Sequence, residues 1–245
     1  MSAGSSSSSI LVEGEELVYN VRYGPFDLGQ VRFRVSGKSK DGGFEVQYGR
    51  ALIDSYEGVP FVDLHATYES WMDSLLYPHK FMGRSKEDGS WQFGRYRFDY
   101  QNKRVIMETG RRDTVVEKLD TLSLPQKLHD GLSLFFFARQ QVLSGKKMNI
   151  STLINEELVN TYIDFYGKRT SVEIDAVDYP IDVIEFNGKA EFVGIFGLTG
   201  DFEGWFSNDD ARVPILAKMK VIIGSVTLEL MEWKRPGWNP QRGIE

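Results

Sequence analysis

The chain contains no cysteine. Structural disulfides, thiolate zinc sites and cysteine nucleophiles are therefore excluded. Histidine is scarce: only His65, His79 and His129 occur among 245 residues. They share no metal-ligand spacing, so each reads as a surface or capping residue. No metal and no other cofactor is expected. Long apolar runs are also missing. The densest, Leu132 to Ala138, is interrupted by Ser133 and falls far short of the roughly 20 residues a membrane-spanning helix needs. There is no excess of positive charge either. The formal net charge is −6 and the pI about 5.3, which argues against a nucleic-acid partner. The short basic pairs Arg111-Arg112 and Lys146-Lys147 lie beside glycine and read as exposed turns.

Catalytic signatures are equally absent. No phosphate loop of the G-x-x-x-x-G-K-[ST] kind, no G-x-S-x-G elbow and no H-E-x-x-H occurs. Carboxylates are plentiful, and a glycan hydrolase needs only two on opposite sides of a sugar bond. Asp63, Glu69, Asp73, Asp209 and Asp210 are the candidates. Acids paired in turns ordinarily serve turn geometry and solubility, however, so a non-enzymatic protein is the preferred reading.

What the chain does contain is strand pattern and aromatic rings. Hydrophobic residues make up 41% and aromatics 13%, a composition of folded proteins long enough to bury a core unaided. Leu17, Tyr19, Val21 and Tyr23 alternate with polar residues, as do Val31, Phe33 and Val35. Such period-two alternation marks half-buried antiparallel strands. Gly24-Pro25-Phe26-Asp27 and Lys40-Asp41-Gly42-Gly43 are turn signals between them. Further strands are predicted at Phe44 to Leu52, Val62 to Met72, Lys80 to Ser85, Trp91 to Tyr100, Arg104 to Thr109 and Thr114 to Leu119.

One helix is predicted over about Leu124 to Leu143, with Pro125 in its first turn and Gly145 past its end. Leu128, Leu132, Phe135, Phe136, Val142 and Leu143 fall on one stripe, while Leu134 and Phe137 project opposite. A helix apolar on two faces must be covered twice: by a sheet, and by a second element, a partner or an apolar ligand. Arg139 lies on the main stripe and must snorkel or find a carboxylate. Beyond the helix, strands are predicted at Val172 to Ala176, Ile181 to Phe186, Ala190 to Phe196, Gly200 to Ser207, Val213 to Val221 and Ser225 to Trp233.

The expected fold is mainly β: a large curved antiparallel sheet, or incomplete β-barrel, with one central helix packed against it. Residues 1–13 read as a flexible Ser-rich segment, 14–235 as a single domain, and 236–245 as an irregular tail. The start, Met1 to Gly4 followed by Ser5 to Ser9, has neither a basic region nor an apolar core. It reads as a linker or tether.

Three sets of residues carry a family resemblance. They are Gly14-Glu15-Glu16-Leu17-Val18-Tyr19 with Tyr23-Gly24 and Gly29; Asp130-Gly131-Leu132-Ser133 with Arg139 and Gly145; and Trp205-Phe206-Ser207-Asn208-Asp209 with Arg212-Val213-Pro214, Gly224-Ser225, Leu228 and Leu230. Together they span about residues 14 to 234. In order and spacing they resemble an uncharacterised bacterial envelope family, classed as a domain of unknown function and similar at greater distance to the LolA and LolB lipoprotein carriers. The resemblance implies export, an incomplete antiparallel barrel closed by helices, and an apolar cavity for acyl chains. It carries over no catalytic residue.

The resulting expectation is a monomeric protein of the periplasm or outer membrane, membrane-associated by a tether at most, that binds a lipid or lipoprotein acyl chain. Leu134, Phe137, Tyr96, Phe98 and Trp205 would line the site, and Arg139 would meet an anionic head-group. Tyr96, Phe98 and Tyr100 share one face of their strand, where they suit either a core or a cavity wall. Trp205 equally suits a core anchor, with Asp209 capping the turn before Arg212 and Pro214 opening the next strand. The alternative is a scaffold that docks another envelope protein, with its core filled by side chains.

Overall fold

A computed structural model describes residues 10–59, 63–87, 89–191, 200–221 and 224–243. Eight strands come first: β1 (Glu16–Tyr23), β2 (Phe26–Asp41), β3 (Phe44–Ser55), β4 (His65–Met72), β5 (Pro78–Glu87), β6 (Ser90–Asp99), β7 (Arg104–Arg111) and β8 (Val115–Ser123). A short β9 (His129–Asp130) leads into α1 (Gly131–Gln141). Six strands follow: β10 (Lys147–Ile154), β11 (Glu157–Val172), β12 (Ile181–Ala190), β13 (Gly200–Ser207), β14 (Pro214–Lys220) and β15 (Ser225–Lys234).

All of these strands join one sheet, in the order β8-β7-β6-β5-β4-β3-β2-β1-β15-β14-β13-β12-β11-β10-β9. Every pairing is antiparallel except the short β9–β10 contact. The topology is two meanders. The first runs outward from β1 to the β8 edge. Residues 124–130 then cross to the opposite edge, and the second meander returns from β10 to β15. There β15 pairs with β1, opposing Tyr19 to Leu230 and Val21 to Leu228. The first and last strands thus meet in mid-sheet. The sheet remains open, with β8 and β9 as its edges.

Both halves bury α1. Leu132 and Phe136 join the core formed by Val21, Val31, Ile53 and Met72. Leu134, Ala138 and Val142 pack with Ile150, Ile163, Phe165, Ile184 and Phe206. The helix that looked apolar on two faces is therefore covered twice by one curled sheet. Gly49 permits the approach on β3: a Cβ there would sit 2.7 Å from the Phe136 ring and 3.1 Å from the Met72 methyl.

The helix is shorter than its periodicity suggested. Asp130 accepts from the backbone N–H groups of Leu132 and Ser133 at 2.8 and 2.7 Å, and its own N–H donates to Ser133 Oγ at 2.9 Å. This capping box sets the first turn. Leu124 to Leu128 instead runs outside the helix, where Leu124 and Leu128 pack on Tyr96, Phe98, Val105, Met107 and Leu153. That small core bridges the gap between β6–β7 and β10. Strand β10 and all of the long β11 except Val172 occupy residues where the sequence pattern predicts none. Conversely, of the strand expected at Val172 to Ala176 only Val172 is in a strand, as the last residue of β11. The expected strand from Ala190 to Phe196 lies largely outside the described residues, as does Val62. The tail folds back: Trp238 is buried, and the Asp182 N–H donates to the Gln241 carbonyl at 2.9 Å. No helix among the described residues is long and apolar enough to cross a membrane.

Candidate functional site

Three features converge on α1. The first lies at its C-terminal end. Arg139 is fully buried, and Glu15, at 2% exposure, meets it. Arg139 Nη1 and Nη2 donate to the two Glu15 carboxylate oxygens at 2.6 and 2.9 Å. Its Nε and Nη2 also reach the Ala211 carbonyl at 3.1 and 2.9 Å. Arg235 donates to Glu15 as well. A planar guanidinium suits this forked geometry, and a cation in the last turn also suits the helix dipole. Arg212 donates to the Gln140 carbonyl at 2.8 Å, filling another terminal acceptor. The loop that supplies Ala211 is itself held by Asp209. That carboxylate accepts from the N–H groups of Ala211 and Arg212 and from Ser207 Oγ, and its other oxygen accepts from Trp238 Nε1.

The second feature lies at the N-terminal end. Ser70 Oγ donates to Asp130 Oδ2 at 2.6 Å. Full burial raises the Asp130 pKa to about 6, against the lowering effect of its Ser70, Ser133 and Leu132 donors. His129 stacks between Tyr77 and Phe137, with ring centroids at 4.8 and 4.6 Å, and its Nδ1 lies 3.2 Å from Ser133 Oγ. Burial drops its pKa to about 4, against the raising effect of Asp73 and a bond to the Leu76 backbone. Serine, histidine and aspartate are thus adjacent. Ser133, Ser70 and Asp130 are buried, and their hydrogen bonds hold the helix cap.

The third feature is a cavity of about 210 Å³, almost wholly apolar, between α1 and β11–β14. Leu134, Phe135 and Ala138 form its helical wall, and Phe186, Phe202 and Met219 much of its sheet wall. Glycine opens the room: a Cβ on Gly204 would meet the Phe186 ring at 2.4 Å. Among the residues expected to bind a ligand, Leu134 and Trp205 line this cavity. Lys218 Nζ lies 5.5 Å from the Trp205 ring centroid. Phe137 is not part of the lining; it packs against both core clusters and the His129 ring. Tyr96 and Phe98 lie elsewhere, in the core under the crossover segment, and the Tyr96 hydroxyl donates to Glu156 at 3.0 Å. Arg139 is held by Glu15 and the Ala211 carbonyl, so its place is in a buried ion pair and not at the mouth of the cavity. Glu15, Asp130 and His129 were not singled out as site residues by sequence, although the carboxylate that Arg139 requires is one of the two in Gly14-Glu15-Glu16.

The carboxylates weighed for hydrolysis do not converge. Glu69 accepts from Tyr48 and Arg84, Asp73 from Lys127, and Asp209 organises its own turn. Asp63 faces His65 and Lys86 on the surface.

Fold and interior together define a barrel-like antiparallel domain whose open sheet curls around one helix. The chain belongs to the DUF3108 family of proteins of unknown function, whose profile matches residues 18–231. No curated protein matches it. Among solved structures it is similar to a β-barrel-like protein of the DUF1849 domain of unknown function from Brucella abortus. There the TM-score is 0.61 at 12% identity, covering 91% of this chain and 98% of that one. A putative exported protein with a YmcC-like fold from Bacteroides fragilis superposes more loosely, with a TM-score of 0.37 at 8% identity over 91% of this chain and 97% of that one. The first likeness is one of fold; the second is too loose to carry an argument.

Proposed function

We propose that this protein is a non-enzymatic component of the bacterial cell envelope that holds a lipid acyl chain in the cavity between α1 and β11–β14. The observation that carries this reading is the lining: a cavity of about 210 Å³ with nearly unbroken apolar walls, beside a helix whose other contacts are filled. That volume is about seven times the ~30 Å³ of one water. Burying six methylenes at ~0.8 kcal/mol each would supply about 5 kcal/mol before ordering costs. The envelope setting, periplasmic or outer-membrane-anchored, rests on the resemblance to an uncharacterised bacterial envelope family. Among the described residues the lining is apolar except for the Thr161 hydroxyl, which supports a binding role.

Native mass spectrometry of the purified chain, alone and with added oleate or a lysophosphatidylcholine, tests this. One lipid adduct per chain is expected. Ala217→Trp, which fills the cavity from β14, should reduce it at least tenfold without lowering the melting temperature. An unliganded mass under every condition would overturn the reading. It would favour the scaffold alternative, which draws support from the free edge strand β8, where Val115, Val116 and Leu119 are exposed.

A further inference from the structure

The outward face of β5–β7 carries an arrangement that folding alone does not account for. Lys80 on β5 stands directly opposite Arg97 on β6. Like charges in directly opposed strand positions repel at close range. Among the described residues no carboxylate bonds to either. Glu108, the nearest acid along β7, is taken by Arg95 at 2.7 Å. Asp99, two residues beyond Arg97, accepts from Asn102 and Arg104. Lys80 lies instead over the Trp71 ring, 4.4 Å from its centroid. The Nε of Arg95 is buried and has no partner.

These side chains border a single groove of about 400 Å³, lined by Lys80, Met82, Arg95, Tyr96, Arg97, Ile106 and Glu108. Three cations face one carboxylate there, in a protein whose net charge is −6. Two positive charges remain unmatched. A phosphate monoester carries about −1.5 to −2 at pH 7 and offers three strong acceptor oxygens. Its charge matches the groove, its oxygens can be shared between an ammonium and a guanidinium, and Met82 and Ile106 provide an apolar floor for the esterified group.

We propose that this groove is a binding site for a phosphate monoester, with Lys80 and Arg97 as the primary contacts and Arg95 as a third. It lies apart from the cavity beside α1 and stands independently of the acyl-chain reading. The ester could belong to a soluble metabolite or to a lipid head-group at a membrane surface; the recognition chemistry is the same.

The test uses the full chain and two probes at low ionic strength: glycerol 1-phosphate by calorimetry, and phosphatidylcholine vesicles containing phosphatidate by co-sedimentation. The doubly substituted chain Lys80→Gln, Arg97→Gln is compared with the parent and with Ala217→Trp. Saturable binding to glycerol 1-phosphate, weakened at least tenfold in the Gln variant and unchanged in Ala217→Trp, supports the site and assigns a soluble ester. Binding confined to phosphatidate vesicles, with the same dependence on Lys80 and Arg97, supports it and assigns a head-group. The unliganded Gln variant should melt no lower than the parent, because the substitution relieves a repulsion. Absence of binding to both probes, binding unaffected by the substitutions, or a Gln variant several degrees less stable than the parent would overturn the proposal.

Discussion

Glu15 makes the sharpest prediction about stability. Its carboxylate, 2% exposed, lies between two guanidiniums, with Arg139 at 0% and Arg235 at 6% side-chain exposure. The cluster therefore holds two positive charges and one negative. Glu15→Gln keeps the shape but leaves two buried cations facing one another. Breaking a buried pair from one side costs about 3–5 kcal/mol, and the second guanidinium places this case at the upper end. Arg139→Met is different. It removes the donors to the Ala211 carbonyl and two of the donors to Glu15, but Glu15 keeps a cationic partner in Arg235. The loss is therefore that of unmet acceptors, about 1–3 kcal/mol, and not of an unpaired buried charge. The acid should thus matter more than the base. Urea unfolding of both variants at constant m-value measures the difference. For a chain of this size, Glu15→Gln should also lower the melting temperature by roughly 8–16 °C. If Arg139→Met is the more damaging of the two, or if Glu15→Gln costs under about 1 kcal/mol, the charge argument is wrong.

Other perturbations follow from the same interior. Burial lowers the His129 pKa from its ordinary 6.5 to about 4, so acidification between those values favours the unfolded chain. Asp130, raised to about 6 from 3.8, acts the other way, since the fold takes up its proton first. The two slopes largely cancel between about pH 4 and 6. Asp130→Asn, which keeps a good helix cap, removes the compensation. Its stability should then fall by about 3 kcal/mol from pH 6.5 to pH 4, and urea midpoints that track the parent at every pH would refute this. Gly49→Val drives a side chain into Phe136 and Met72 and should cost about 1–3 kcal/mol as overpacking, visible as a lower denaturation midpoint. Asp209→Ala strips partners from two backbone N–H groups, Ser207 and Trp238. It should cost about 2–3 kcal/mol and quench or shift Trp238 fluorescence as the tail undocks; an unchanged emission spectrum would count against that account.

Much of this architecture is local and therefore legible along the chain. Alternation in β1, β6 and β15 follows from a pleat that sends successive side chains to opposite faces, and glycine-rich turns mark the hairpins. So a β-rich sheet with one helix could be read before any coordinates. Helix α1 was half legible: its apolar residues showed, but its start depended on the Asp130–Ser133 capping box, and Leu124 to Leu128 kept a helical spacing while running outside the helix. Strands β10 and β11 are not legible in the sequence because Asn149, Ser151, Asn160 and Asp164 interrupt their apolar pattern, which the pairing of β10 with β11 and of β11 with β12 overrides. Leu134 and Trp205 could be picked out as large apolar residues. That they meet across one cavity, while Tyr96 and Phe98 fill a different core, could not.

Composition and period alone determine that this chain folds as curved antiparallel β-structure around a single apolar helix, because both are set by residues a few positions apart. Only tertiary structure decides that β1 pairs with β15, that Arg139 is neutralised by an acid 124 residues away, and that Lys80 confronts Arg97 without one. Those outcomes depend on how two meanders curl toward each other, and pairing between distant segments leaves no periodic trace in either of them.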